Sequence, residues 1–114
     1  MTGARLAASV EVSALLRRTE AEGGFATVVH RGDAERGVII LLVSSRGRHV
    51  ACLQRMLSVD GVYLWNRTGP ERSAESAEVA SFLAKQRQFD PDLWVLELDI
   101  ADAERFIAET TSAG

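Results

Sequence analysis

"QRQFDPDLWVLELD", residues 86–99, decides the fold, because the hydrophobic period changes within it. Upstream, Val79, Phe82, Leu83, Gln86 and Phe89 recur at helical spacing, and four of the five are apolar. Downstream, Trp94, Leu96, Leu98 and Ile100 alternate with Leu93, Val95, Glu97 and Asp99. That is a strand buried on one face and partly on the other. Between the two, Pro91 disfavours helical geometry at Asp90 and presets a turn, in which the aspartate side chains bond nearby amides. The stretch therefore reads as a corner that ends a helix begun near Ser73 and starts a strand.

Working outward, "FATVVHR" (25–31) and "GVIILLVSS" (37–45) are rich in β-branched residues, and "GDAER" joins them like a hairpin connection. The second is apolar on both faces and belongs at the centre of a sheet. "HVACLQRML" (49–57) and "VYLWNR" (62–67) follow, with Asp60-Gly61 as a hairpin signal. In the former, Val50, Cys52 and Met56 are expected on one face and Ala51, Leu53 and Leu57 on the other. At the N-terminal end Ser9 can cap a helix over 9–22 with the stripe Val12, Leu15, Leu16 and Thr19, stopped by Gly23-Gly24. A last helix, "ADAERFIAET", buries Phe106 and Ile107 and leads to a tail, 110–114, expected to fray. The order α-β-β-β-β-α-β-α predicts one α+β domain over residues 1–114. It holds a mixed, mostly antiparallel sheet of about five strands with helices on one or both faces.

Bulk properties narrow the function. The chain has 114 residues, 46% hydrophobic and 25% charged, which suits a folded soluble domain. Its longest apolar run, "VIILLV", is strand-sized, and no secretory leader pattern precedes it, so a cytoplasmic protein with no membrane span is expected. One cysteine and two histidines cannot build a structural zinc site. Residues 71–114 carry four basic against ten acidic side chains, and the net charge is −3. Both features argue against nucleic acid as the partner, although Arg46, Arg48, Arg55, Tyr63, Trp65 and Arg67 fall on adjacent strands in the manner of a stacking platform.

Motifs that carry chemistry are few. Asp90, Asp92, Glu97 and Asp99 are dense in sequence, but strand geometry separates them into two ends, so no metal is expected. His30 is expected on the face of Ala26 and Val28. Alternation puts His49 opposite Cys52, which excludes a Cys–His pair. "TGPE" (68–71) lies between a strand and a helix start with Arg67 and Arg72 beside it. Arg67, Thr68, Gly69 and Arg72 are therefore the candidate ligand site, for an anion or phosphate. Tyr63 and Trp65 on one strand, and Arg17 and Arg18 on the first helix, are the candidate interaction surface. "RGD" (31–33) and "NRT" (66–68) match recognition tripeptides that have meaning only in a secreted protein.

The stretches "VSALLRRTEAEGGFATVVHRGDAERGVIIL", "WNRTGPE" and "RQFDPDLWVLELD", in this order, resemble the bacterial family called domain of unknown function 1491 over residues 5–107. The most specific parts are Ser13–Arg18, Gly24–Asp33 and Phe89–Trp94. The resemblance implies a small α-and-β fold and transfers no site residue. The expectation is a binding or adaptor protein without catalytic residues or cofactor, acting on a protein partner or as a homodimer. An enzyme or anion binder at 67–72, and a single-stranded nucleic-acid binder, are the alternatives.

Overall fold

The computed structural model describes residues 7–57 and 59–111. Its elements are α1 (Ala8–Ala21), β1 (Phe25–His30), β2 (Ile39–Ser45), β3 (Arg48–Leu57), β4 (Tyr63–Thr68), α2 (Ser76–Phe89), β5 (Trp94–Asp99) and α3 (Ala103–Thr111). The expected element order and fold class hold.

The five strands lie in the order β1-β5-β2-β3-β4. β2–β3 and β3–β4 are antiparallel neighbours, as read from their turns. Arg46 and Gly47 both take positive φ in the two-residue turn between β2 and β3, a geometry that matches the twist of the flanking strands. β1 and β2 do not form the expected hairpin. β5 is inserted between them, parallel to β2 and antiparallel to β1. The 31–37 segment must then arch over the start of β5, and its residues are built for that contact. Asp33 N–H donates to the Asp92 carbonyl at 2.8 Å, and the Trp94 indole donates to the Asp33 carbonyl at 2.7 Å. A Cβ on Gly32 would lie 2.2 Å from that same Asp92 oxygen, so the close approach requires glycine.

β2 is central and apolar on both faces, and the helices cover both. On one face Ile39, Leu41, Val43, Ala51, Leu53, Trp94, Leu96 and Leu98 pack with Ala8 and Val12 of α1 and with Ala103, Phe106 and Ile107 of α3. On the other, Ile40, Leu42, Cys52, Leu93 and Val95 meet Val79, Phe82 and Leu83 of α2. Phe89, expected to complete that stripe, is 88% exposed at the corner before Pro91. The corner itself is as read: α2 stops at Phe89 and the Asp90 carboxylate accepts the Asp92 N–H at 3.1 Å.

Helix starts depart from expectation. α1 begins at Ala8 without a side-chain cap. Instead, the amides of Ala8 and Ser9 donate to the carbonyls of Glu35 and Ala34, so the 31–37 arch caps the helix and Ser9 lies inside it. α2 begins three residues after Ser73, because Ser73 takes a φ of 65° and its N–H is bound to the His49 carbonyl. At the other end of the chain α3 runs through Thr111, whose hydroxyl donates to the Ile107 carbonyl. Residues 112–114 of the expected tail lie outside the described residues.

Candidate functional site

Two β-bulges change which residues share a face. Between Val43 and Ser44 the β2–β3 register shifts, so that Ser44 pairs with His49 while Leu42 pairs with Cys52. His49 and Cys52 therefore lie on the same face, contrary to strict alternation, because one extra residue in a strand inverts everything beyond it. Val50 correspondingly packs with Ala51 and Leu53. In β1 a shift between Val28 and His30 moves His30 off the face of Ala26 and Val28, and its Nδ1 bonds the Leu93 carbonyl at 2.9 Å.

The first bulge shapes a cleft of about 540 Å³ between α2 and the sheet. Its lining combines aliphatic side chains, Leu42, Val79 and Leu83, with polar ones, Ser44, His49, Ser73 and Glu97. It sits where β2 and β5 end, the edge at which parallel strands commonly hold ligands. The polar groups are positioned by specific bonds. Ser44 is buried and its hydroxyl donates to the Glu97 carboxylate at 3.4 Å. His49 Nε2 donates to the Pro70 carbonyl at 3.0 Å, since a carbonyl oxygen only accepts. His49 thus holds both ends of the loop that leads to α2. Cys52 lies deeper on this face, and burial pushes its thiol up to about 11.

The expected ligand residues do not form one cradle. Arg67 pairs with Leu53 and faces α3, whereas Thr68 pairs with Cys52 and faces α2. Gly69 adopts a φ of 68°, and a Cβ there would meet the Phe82 ring at 2.7 Å, so its bareness serves packing. Arg67 and Arg72 do converge, but on Glu104 of α3, which pairs with both. Beside them Arg67, Thr68, Gly69 and Pro70 line a hollow of about 180 Å³.

The expected interaction residues divide similarly. Arg18 lies 4.6 Å from the Phe106 ring centroid and bonds Glu22 and Thr110, so it ties α1 to α3. Arg17 is exposed. Trp65 packs on the larger core beneath the Arg55 guanidinium, and Tyr63 is 41% exposed. Three of the four clustered carboxylates serve local structure: besides Asp90 and Glu97, Asp99 accepts the amides of Arg46 and Gly47, both at 2.9 Å, and so clamps the β2–β3 turn. Among the described residues no three His, Cys, Asp or Glu side chains are grouped to hold a metal. None of the described helices is long and apolar enough to cross a membrane.

Ser44, Ser73 and the pairing of Ser44 with Glu97 escaped sequence reasoning. Their only local signal is Gly47, which marks the tight turn but not the bulge that follows it.

The profile of the family described as "Protein of unknown function (DUF1491)" matches residues 6–108, nearly the whole chain. The chain belongs to the DUF1491 family. A crystal structure of a DUF1491 family protein from Caulobacter crescentus CB15 is similar at 31% identity and a TM-score of 0.76, over 90% of this chain and 94% of that one. An NMR structure of a DUF1491 family protein from the same organism gives 31% identity and 0.74, over 89% and 91%. A solution structure of a protein from A. tumefaciens gives 30% identity and 0.70, over 84% and 86%. No curated protein matches the chain. Within the DUF1491 chain, the segments Gly24–Asp33 and Phe89–Trp94 meet at the arch over β5, where Asp33, Asp92 and Trp94 are bonded together. The letters that carry the family resemblance there are used in building the fold.

Proposed function

We propose that this DUF1491 protein is a small binding domain without a catalytic centre of its own, and that it takes a small amphipathic molecule under α2. The cleft of about 540 Å³, lined by both aliphatic and polar side chains, carries this reading. Concave sites with a few converging polar groups are where proteins hold small ligands. The bonding within the cleft favours holding over turnover. The Ser44 hydroxyl is engaged by a carboxylate rather than by an imidazole, the His49 ring is committed to Pro70, and a thiol titrating near 11 supplies little thiolate at neutral pH. A protein partner would meet the exposed Arg17 and Tyr63 surfaces, in a cytoplasmic setting.

Amide NMR spectra with a panel of short hydroxy acids, amino acids and amino alcohols test the reading. Shifts are expected at Ser44, His49, Ser73, Ser76 and Val79, and Ser44→Ala together with Glu97→Gln should weaken them. Shifts confined to residues 67–72, or chemical conversion of a panel member, would refute it.

A second reading, an anion site at Arg67, Thr68, Gly69 and Arg72, is favoured by the convergence of two guanidiniums on one carboxylate. Glu104 then occupies the place an anion would take. Glu104→Gln should raise phosphate affinity, and an unchanged affinity counts against this site.

A further inference from the structure

The charges on the cleft beneath α2 do not balance. Arg48, Glu75 and Glu97 are the charged residues on its lining, one guanidinium against two carboxylates. Glu75 has a counterpart within the fold: it stands at the N-cap of α2, where the free amides of a helix start favour negative charge. The Nε2 N–H of His49 is taken by the Pro70 carbonyl. Arg48 is exposed beside the β2–β3 turn. Among the described residues no cation, Arg48 included, forms an ion pair with Glu97.

The position of that carboxylate is specific. In β5 the residues from Trp94 to Leu96 and Leu98 are buried, whereas Glu97 is exposed and so within reach of a ligand. Leu42 of β2 is its direct neighbour across the sheet. The hydroxyl of Ser44, a residue 3% exposed, donates to Glu97 at 3.4 Å and draws it towards a residue that itself lines the cleft. A negative head group thus adjoins the aliphatic wall formed by Leu42, Val79 and Leu83. A ligand that seats hydrocarbon on this wall brings its own polar group beside Glu97. A carboxylate there is repelled, a hydroxyl forms one ordinary hydrogen bond, and an ammonium forms the stronger, charge-assisted one. We infer that Glu97 anchors the amino group of the cleft's ligand, and that the ligand class is an aliphatic primary amine with its chain on Leu42, Val79 and Leu83. This inference rests on the reading of the cleft as a ligand site, and adds to it the sign of the charge that the site selects.

The test is an amide NMR titration of the full chain with three probes of one chain length: pentylamine, 1-pentanol and pentanoate. Pentylamine should move the amides of Ser44, Val79 and Glu97 and bind about tenfold tighter than either other probe, the margin of a charged over a neutral hydrogen bond. Glu97→Gln removes the charge and keeps an acceptor for the Ser44 hydroxyl, and circular dichroism checks that the variant keeps the fold. In it pentylamine should fall to the affinity of 1-pentanol, whose own binding barely changes. Equal binding of amine and alcohol, tighter binding of pentanoate, or an amine preference that survives Glu97→Gln overturns the inference and leaves the cleft a ligand site. If none of the three probes moves amides at the cleft, that reading and this inference fall together.

Discussion

The two faces of the sheet are covered differently. α1 and α3 together bury Val12, Thr19, Ala103, Phe106 and Ile107 against one face, whereas α2, as long as α1, buries no residue fully against the other. A face covered by interlocked side chains supplies stability, because packed interiors leave no room for a ligand. A face under a lightly seated helix keeps room beside it, and here that room is edged by Ser44, His49 and Glu97. The packed core and the cleft thus lie on opposite sides of the same five strands.

The largest expected effect tests that division directly. Phe106→Ala removes a ring that is 1% exposed and should cost about 3–5 kcal/mol in urea unfolding. Phe82→Ala, on the half-buried face of α2, should cost about 1–2 kcal/mol, since less area leaves water there. Equal losses would erase the contrast between the faces. Gly32→Ala comes next. Its Cβ would sit 2.2 Å from the Asp92 oxygen, so the arch must move, and a loss of about 2 kcal/mol or more is expected in the same assay.

A smaller effect follows from Cys52. Its folded-state value, about 11, lies above its ordinary one near 9.0. The unfolded chain releases this proton first. The stabilisation is complete below pH 9 and is lost as pH rises towards 11. Unfolding midpoints of the parent chain should therefore fall over that window relative to Cys52→Ala, and a thiol reagent should label Cys52 only slowly at pH 7. Rapid labelling of the native protein would show that the α2 face is open to solvent well beyond the cleft. The smallest effect belongs to the α3 side. Arg72→Ala breaks an exposed ion pair with Glu104 and should change stability by less than about 1 kcal/mol.

Much of the fold was legible in periodicity. The switch from helical to alternate spacing around Pro91 placed α2 and β5, and the unbroken apolar run in β2 placed that strand centrally. Strand order was not legible. "GDAER" has the length of a hairpin connection, and nothing local says that β5, sixty residues later, will separate β1 from β2. The information lies in long-range contacts: Gly32 against Asp92, and Asp33 against Trp94. The cleft was hidden for a related reason. Alternation assigns faces correctly only until a bulge, and the shift after Val43 moved His49 to the side of Ser44, Cys52 and Glu97. The loop at 67–72 drew notice because arginines flank a Gly-Pro turn, yet β4 alternation sends Arg67 and Thr68 to opposite faces.

Native-state hydrogen exchange tests the division of labour between the faces most directly. Amides of α2 should exchange by local opening, at a free energy well below that of global unfolding, while those at Phe106 and Ile107 of α3 exchange only when the whole domain unfolds. If α2 amides were as protected as those of α3, the second face would be a packed core like the first, and the cleft beneath α2 would lose its claim to be the binding site.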